Sequence, residues 1–231
     1  MISIIFCGIT LEYSRNTGYN QAEVVFMNEK FYALPREKQQ RIVNAGFRVF
    51  AENSYKKSSM QEIAGEAGIS KSLLFHYFYN KKEFYLFLWD RACDITMKYL
   101  MEHKCYESSD LFEMMERGMQ AKIQMMHKYP AMTAFAIKAF YEKDTQVYLE
   151  IQESYQRHFA IKAKDALAQV NPDDFIPGLD FDMMHREMYL ASEGYLWEIF
   201  QRGDTLDVEK LEKDFSEMMD FWKSIYQRKK P

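Results

Sequence analysis

The stretch SSMQEIAGEAGISKSLLFHYFYNKK, residues 58–82, predicts two short helices joined by a tight turn. Ser59 and Glu62 have the spacing of a capping box, in which each side chain bonds the backbone N–H of the other residue. Ser58 with Gln61 is an alternative register for the same start. In either register, the polar cap marks where the first of the two helices begins.

The turn between these two helices falls at Gly68. Glycine adopts a left-handed backbone conformation without steric cost, so it can end one helix and redirect the chain. Ser70 then caps the second helix. The residues expected to point inward are Ile63, Ala64 and Ala67 on the first helix and Leu74 with Tyr77 or Phe78 on the second. Two helices with a turn of this length, followed by lysines, are typical of a helix-turn-helix, which places its second helix in the major groove of DNA.

The run from Ile42 to Lys81 resembles the DNA-binding domain of the tetracycline-repressor (TetR/AcrR) family. A leading helix, RIVNAGFRVFAENSY, precedes the helix-turn-helix, and NKKEF leads into a long fourth helix. The resemblance covers residues 34–81 and departs from the family at Ser54, where glycine is usual, and at Leu73, where a small or hydroxylated residue is common. It implies an all-α protein of about nine helices, with an N-terminal three-helix DNA-binding domain and a C-terminal helical domain for ligand sensing and dimerisation.

The same resemblance implies which side chains meet DNA. A recognition helix presents small or donor side chains to base edges and anchors its ends on phosphate. The residues expected to face bases are Gln61, Lys71, Ser72 and Leu73. Those expected to contact phosphate are Ser59, Ser70, His76, Tyr77 and Lys81. A core tyrosine with its hydroxyl at the surface is the alternative for Tyr77, and we expect Phe75 and Phe78 to pack between helices.

Charge is distributed unevenly along the chain. Residues 34–82 hold nine Lys or Arg and four Asp or Glu, a net +5, and since the whole chain carries −4, the remainder carries −9. A basic segment on an acidic body is typical of a module that neutralises phosphates, and a solvated charged face is the plainer alternative.

Three cysteines without CxxC spacing predict a reducing, cytoplasmic setting without a disulfide framework. No apolar run reaches the roughly 20 residues that cross a bilayer, so no membrane partner is expected.

We divide the chain into three parts. Residues 1–26, an apolar run followed by a polar one, fit the rest poorly and are interpreted as a non-native or mis-assigned extension; an arm that touches DNA or a partner is the alternative. Residues 27–80 form the predicted helix-turn-helix domain, and residues 81–231 the ligand-sensing and dimerisation domain. From residue 80 onward the predicted helices are 80–105, one that starts at Ser109 or Asp110 and runs to 129, 132–143, 144–170, 180–202, ending at Gly203, and 208–230, with a loop over 171–180.

Two further sets of residues are assigned by helical position and resemblance. The middle helices enclose a ligand cavity in similar proteins, and Met and aromatic side chains can line an adaptable apolar pocket. The candidate ligand residues are Met114, Met115, Met119, Phe140, Tyr141, Tyr148 and Tyr155, for each of which core packing is the alternative. The last two helices have apolar residues on more than one face, which predicts a four-helix dimer interface. The candidate interface residues are Met188, Tyr195, Ile199, Phe215, Met218, Trp222 and Ile225; two ordinary core helices are the alternative.

Catalytic signals are missing from the sequence. It has no Gly-rich phosphate loop, GxSxG or HExxH, and its five histidines have no clear metal-ligand spacing. We therefore expect no enzyme activity, no cofactor and no metal. The sequence predicts a cytoplasmic, homodimeric repressor that binds a palindromic operator in double-stranded DNA and is released by a small, largely apolar or aromatic effector. The alternatives are a DNA-binding regulator controlled by a protein partner and a helical ligand-binding or enzymatic protein with a vestigial helix-turn-helix.

Overall fold

The computed structural model describes residues 29–202 and 207–228, and the regular elements within these ranges are helices. The helices are α1 (Glu29–Tyr32), α2 (Arg36–Glu52), α3 (Met60–Glu66), α4 (Lys71–Tyr77), α5 (Lys81–Glu102), α6 (Leu111–Lys128), α7 (Pro130–Phe140), α8 (Tyr148–Tyr155), α9 (Ile161–Leu167), α10 (Phe181–Arg202) and α11 (Val208–Tyr226). The predicted all-α class is confirmed. The predicted extension over residues 1–26 and the predicted helix end at Gly203 lie outside the described residues.

The chain divides into two compact units that interleave in sequence. One unit contains residues 29–94 and 129–154, and the other contains residues 95–128, 155–202 and 207–228. The unit with the helix-turn-helix therefore also holds α7 and nearly all of α8, which the sequence assigned to the C-terminal domain. The predicted domain boundary at residue 80 remains a prediction, and this compact unit does not coincide with it.

Local capping fixes the helix starts in the helix-turn-helix region. The Ser59 hydroxyl accepts the N–H of Glu62 at 3.1 Å, which selects the Ser59 register over the Ser58 one. The side-chain oxygen of Asn80 accepts the N–H of Glu83 at 2.8 Å and starts α5. Each of these bonds satisfies an N–H that the first turn of a helix leaves without a backbone partner.

The core of the first unit forms where α2 packs against α7. The Phe135 ring of α7 lies 5.4 Å from the ring of Phe47 and 6.1 Å from that of Phe50, both on α2. All three side chains are buried. Aromatic rings at such distances gain tilted or edge-to-face contacts in addition to their burial from water. The helix before the helix-turn-helix is therefore packed against a segment about 85 residues further along the chain.

The second unit contains α10 and α11, which run antiparallel. The Tyr195 hydroxyl of α10 donates to Asp214 of α11 at 2.7 Å, and its ring lies 5.2 Å from the ring of Phe215. Helix α11 also meets α6 through an ion pair between Lys223 and Glu116. These contacts leave the remaining faces of α10 and α11 available to solvent or a partner.

The predicted helix over residues 144–170 is divided. Helix α8 ends at Tyr155, a π-helical turn covers Gln156–Ala160, and α9 continues from Ile161. A π turn inserts one extra residue into an α-helix and shifts the face that follows it. Residues 144–147 form a turn instead of helix, with the Asp144 carboxylate accepting the N–H of Gln146 at 3.0 Å.

Among the described helices, none is both long enough and apolar enough to cross a membrane.

Acidification is expected to destabilise the second unit through His185. This side chain is buried, and burial lowers its pKa because the charged imidazolium is desolvated. The unfolded state then binds more protons than the folded one as pH falls below about 6.5, the ordinary histidine value. We expect the melting temperature to fall from pH 7.5 to pH 5.5, and to fall less in His185→Gln. An equal fall in both proteins would contradict this assignment.

Candidate nucleic-acid interface

Helix α4, the predicted recognition helix, starts with a well-formed turn. Gly68 has a φ of +67°, the left-handed conformation that the sequence predicts for it. The Ser70 hydroxyl then accepts the N–H of Leu73 at 3.2 Å and lies 3.0 Å from the hydroxyl of Ser72. The first turn of α4 is thus capped by side chains that lie at the protein surface.

An aromatic cluster holds α4 from its inner side. The ring of Phe78, which follows α4, lies 4.5 Å from that of Phe84, 5.0 Å from that of Phe87 and 5.1 Å from that of Phe31. Phe78 is fully buried, as predicted. Phe31 belongs to α1, the short helix that precedes α2. Helix α1 therefore helps to fix the position of α4.

Most of the predicted DNA-binding side chains are exposed on one stretch of chain. The exposed members are Ser59, Gln61, Ser70, Lys71, Ser72 and His76, and Leu73 is half-buried. They come from the first turn of α3 and from α4, the two helices that meet DNA in a helix-turn-helix. Exposed Lys56 and Lys57 lie just before α3 and add positive charge to this surface, which we call the α3–α4 surface.

Tyr77 lies in the core, which agrees with the alternative of a core tyrosine. It is 5% exposed, and its ring meets that of Phe31 edge-on at 6.3 Å. Its phosphate contact remains a prediction that rests on the small exposed part of the residue. Phe75 differs from the expectation of packing between helices, because it is 38% exposed and its ring lies 5.9 Å from the ammonium nitrogen of Lys71.

Lys81 has protein partners for its ammonium group. Its Nζ donates to the carbonyl of Tyr55 at 2.9 Å and to that of Ser58 at 3.2 Å, with Lys56 at 3.5 Å, and lies 4.4 Å from the centre of the Tyr55 ring. An ammonium has three donors, so these three carbonyls use all of them. The phosphate contact of Lys81 stays a prediction, and this arrangement counts against it.

A small cavity lies in the second unit, between the end of α5, the start of α6 and α9. It encloses about 30 Å³, room for roughly two water molecules. Its lining residues are Leu100, Cys105, Tyr106, Leu111, Met114, Met115, Gly118, Ala163, Ala166 and Leu167. Burial raises the pKa of the Cys105 thiol to about 11, so the sulfur is protonated and poorly nucleophilic at neutral pH.

The predicted ligand residues are thus divided between the two compact units. Met114 and Met115 line this cavity, and Met119 is buried one turn further along the same helix. Tyr155 is buried, with its ring 5.6 Å from that of Phe159.

The other three predicted ligand residues, Phe140, Tyr141 and Tyr148, belong to the unit with the helix-turn-helix and are not among the cavity residues. Tyr148 is 42% exposed to solvent. The cavity residues Leu100 and Leu111 were missed because aliphatic side chains at helix ends give no distinctive pattern.

Three members of the predicted dimer set need correction. Met188, Phe215 and Trp222 are buried inside their own subunit, with 0%, 2% and 2% exposure, so they have almost no surface to offer a partner. Tyr195, Ile199 and Met218 are half-buried, and Ile225 is 38% exposed. The exposed apolar residues of α11 lie on the neighbouring face.

Large apolar side chains on α10 and α11 remain exposed instead. Met183, Leu190 and Trp197 are 59%, 56% and 46% exposed, and their spacing of seven residues places them along one side of α10. Phe221 is 60% exposed on α11, four residues before Ile225. The regular spacing on α10 was a signal that the sequence interpretation did not use.

The comparisons with known proteins agree with this geometry. The model of a family described as bacterial regulatory proteins, tetR family, matches residues 42–86, which include α3 and α4. The transcriptional activator FasR of Mycolicibacterium smegmatis, a protein of helix-turn-helix type, is 37% identical over 68 residues, or 29% of this chain and 31% of FasR. The chain therefore aligns with about a third of the length of that relative.

Solved structures extend the likeness to the whole fold. A TetR family transcriptional regulator from Chloroflexus aurantiacus superposes with a TM-score of 0.59 at 22% identity, over 87% of this chain and 98% of that one. SmeT, solved in complex with triclosan, superposes with a TM-score of 0.63 at 16% identity, over 84% and 93% of the two chains. The described chain has the fold of a TetR-family transcriptional regulator. Over residues 42–86 the chain is similar to the tetR family of bacterial regulatory proteins.

Proposed function

We propose that this protein is a ligand-responsive transcriptional regulator that binds a palindromic operator in double-stranded DNA as a homodimer. The observation that carries the proposal is the α3–α4 surface, where a capped recognition helix exposes Lys71 and Ser72 beside the start of α3. Direct reading of bases requires donor side chains on a helix that fits the major groove. Gln61, at the second position of α3, is exposed beside them.

The exposed apolar side chains of α10 and α11 support the homodimer. A monomer rarely leaves so many large apolar residues in water along one pair of helices. Two copies of the antiparallel pair would bury Met183, Leu190, Trp197, Phe221 and Ile225 in a four-helix arrangement. A two-fold dimer presents two recognition helices, so the operator would be a palindrome with half-sites one helical turn apart or a multiple of it.

Control by a small effector is supported by the cavity at the end of α5. Helix α5 begins at Lys81, which bonds the turn before α3, and contains Leu100 of the cavity near its other end. A ligand that favours one arrangement of the cavity helices would move α5 and change the spacing of the recognition helices. In the proposed repressor, ligand binding lowers the affinity for the operator and releases the DNA. FasR, which is similar over 68 residues, is described as an activator.

Control by a protein partner is the second candidate, and the size of the cavity favours it. About 30 Å³ holds water molecules but no aromatic effector unless the helices separate. The two candidates differ in what releases the DNA. A compound that lowers operator affinity and protects the cavity residues from hydrogen exchange supports the first; release only by a second protein supports the other.

The decisive experiment is selection of bound duplexes from a random DNA pool by the full-length protein. We expect enrichment of one palindromic sequence and a footprint that requires two subunits. Transcription from a promoter that carries the selected site then distinguishes a repressor from an activator. Failure to enrich any sequence, at low as well as physiological salt, would contradict the proposed function.

Lys71→Ala is expected to weaken binding to the selected duplex and to relax its sequence preference. A lysine at the start of a recognition helix that contacts a base edge contributes about 1–3 kcal/mol of discrimination. Repeating the selection with the variant identifies the base pair that loses preference. Lys164→Ala is the matched control, because this exposed lysine of α9 removes the same charge from the other compact unit. Equal losses in both variants would show that only net charge matters.

A further inference from the structure

Tyr55 lies in the turn that joins α2 to the helix-turn-helix. The turn covers residues 53–59, directly before α3, and Tyr55 is 3% exposed within it. Its ring meets the ring of Tyr85 edge-on at 5.0 Å. Burial, together with the nearby carboxylates of Asp144 and Glu142, raises the pKa of Tyr55 to about 12, so its hydroxyl is a proton donor at neutral pH.

Both polar ends of Tyr55 bond the α7–α8 connection, residues 141–147. The backbone N–H of Tyr55 donates to the carboxylate of Glu142 at 2.9 Å, and its hydroxyl donates to the side-chain oxygen of Gln146 at 3.2 Å. The second oxygen of Glu142 accepts the N–H groups of Lys143 at 2.9 Å and Asp144 at 3.1 Å. The Glu142 carboxylate therefore fixes its own turn and the turn before α3 at the same time.

Neighbouring contacts reinforce the same junction. The ammonium of Lys138, on α7, donates to the carbonyl of Ala51 at 2.6 Å, in the last turn of α2, where helix carbonyls carry partial negative charge. Lys82, at the start of α5, forms an ion pair with Glu150 of α8. These bonds lie in one compact unit and connect segments about 68 to 91 residues apart.

We propose that the α7–α8 connection positions the helix-turn-helix for DNA, with Glu142 and Gln146 as positioning residues that act through Tyr55. Neither side chain needs to reach DNA. The geometry points to a DNA-binding module that includes residues 129–154 as well as the N-terminal helices. This inference rests on the proposed DNA-binding function for its consequence, but the positioning itself can be measured without DNA.

The expected effect follows from what holds the turn. Three polar groups of Tyr55 are bonded from outside the turn: its N–H and hydroxyl by the connection, and its carbonyl by Lys81. Removing the carboxylate of Glu142 leaves the Tyr55 N–H buried without that partner, which is costly for a backbone donor. The turn would open more often, and α3 would start from a less defined position.

Long-range electrostatics alone predicts that the same substitution raises the affinity for DNA. Glu142→Ala removes one negative charge from a chain of net charge −4, which on its own strengthens attraction to phosphates. A loss of DNA affinity in this variant therefore cannot come from long-range charge. This opposition makes Glu142→Ala a sharper test than removal of a basic residue.

The experiment uses the full-length protein and two measurements. Hydrogen exchange of residues 54–60 is compared in wild type, Glu142→Ala, Glu142→Gln and Tyr55→Phe, with α11 as internal reference. Binding is then measured to the duplex that wild type selects from a random pool. We expect Glu142→Ala to exchange faster in residues 54–60 and to bind about tenfold more weakly, the loss typical of a hydrogen bond to a charged group.

Conservative variants separate positioning from general stability. Glu142→Gln keeps an oxygen that can accept the Tyr55 N–H, so we expect it to restore most of the protection and affinity. Tyr55→Phe and Gln146→Leu remove the same hydroxyl bond, so their double variant should lose little more than either one. Thr145→Ala, an exposed neutral residue of the same connection, should behave like wild type.

Each outcome bears on the inference. Unchanged exchange of residues 54–60 in Glu142→Ala, or unchanged or tighter DNA binding with wild-type melting, overturns it. If Glu142→Ala does not fold, the Tyr55→Phe and Gln146→Leu pair decides by the same two measurements. If wild type selects no duplex, the proposed function fails, while the exchange measurement still accepts or rejects the positioning role.

Discussion

Trp222→Glu is expected to leave the protein largely unfolded, whereas Phe221→Glu is expected to keep the fold and dissociate the dimer. The two residues are neighbours on α11 with opposite environments. Trp222 is 2% exposed and Phe221 is 60% exposed. The same substitution at adjacent positions therefore separates the core of the subunit from the proposed interface.

The size of the effect at Trp222 follows from two losses. Truncating a buried tryptophan costs about 3–5 kcal/mol, and an unpaired buried carboxylate adds several more. The sum is comparable to the whole stability of a typical domain, roughly 5–15 kcal/mol. Circular dichroism melts measure it, and Trp222→Phe is the control that keeps an aromatic ring in the site. A cooperative melt at the wild-type temperature would contradict the assignment of Trp222 to the core.

Phe221→Glu is expected to change the stability of the folded subunit little and to destabilise the proposed dimer strongly. An exposed side chain contributes little to folding, so the melting temperature at low protein concentration should change by only a few degrees. In a two-fold interface each substitution occurs twice, and two carboxylates would enter an apolar contact region. Light scattering is expected to give a monomer, with operator binding greatly weakened. A stable dimer at micromolar concentration would place the interface away from this face.

The helix-turn-helix was predictable from sequence because its signals are local. The caps at Ser59, Ser70 and Asn80 each act within one turn of the helix they start, and Gly68 takes the conformation that its residue type favours. Such signals do not depend on the rest of the fold. The predicted all-α class and the two short helices joined at Gly68 were correct for this reason.

The faces of α11 were not predictable in the same way. Leu211, Phe215, Met219 and Trp222 form the buried stripe, while Met218, Phe221 and Ile225 lie on the next face. Both sets recur at spacings of three and four residues, so periodicity alone cannot say which one points inward. The sequence interpretation merged the two stripes, and this produced the errors at Phe215 and Trp222.

Contacts between distant segments could not be predicted from the sequence either. Tyr55 and Glu142 are separated by 87 residues, and nothing in either local pattern indicates the other. Lys81 shows the same limit. Its place at the start of a helix suggests an anion site, but three backbone carbonyls surround its ammonium, and only the folded chain brings them there.

Gly46→Val is expected to destabilise the unit with the helix-turn-helix strongly, because α2 and α5 approach closely at this residue. A Cβ at position 46 would lie 2.6 Å from the Leu88 side chain and 2.7 Å from the Phe84 ring. These distances are well inside van der Waals contact. Phe84 and Leu88 are both fully buried, and the Phe84 ring is packed against Phe78 at 4.5 Å, so neither side chain has open space to enter.

Two opposing effects decide the size of the change. Replacing a mid-helix glycine gains up to about 1 kcal/mol of helix propensity, less for a β-branched residue. Overpacking a tight core costs about 1–3 kcal/mol for added methyl groups, and valine adds three carbons where even one does not fit. We expect a net loss of about 2–4 kcal/mol in urea unfolding, with DNA binding lost at temperatures where wild type is stable.

Gly65→Ala is the matched control for Gly46→Val. Gly65 is an exposed glycine of α3 with nothing within 4 Å of the position that its Cβ would occupy. The alanine there is expected to stabilise the protein by up to about 1 kcal/mol, because only the propensity effect remains. If Gly46→Val is as stable as wild type, or if Gly65→Ala is the more damaging change, α2 and α5 do not pack as described. A selective loss at Gly46 would establish that the unit with the helix-turn-helix depends on a close contact of α2 with α5 that has no room for a valine side chain.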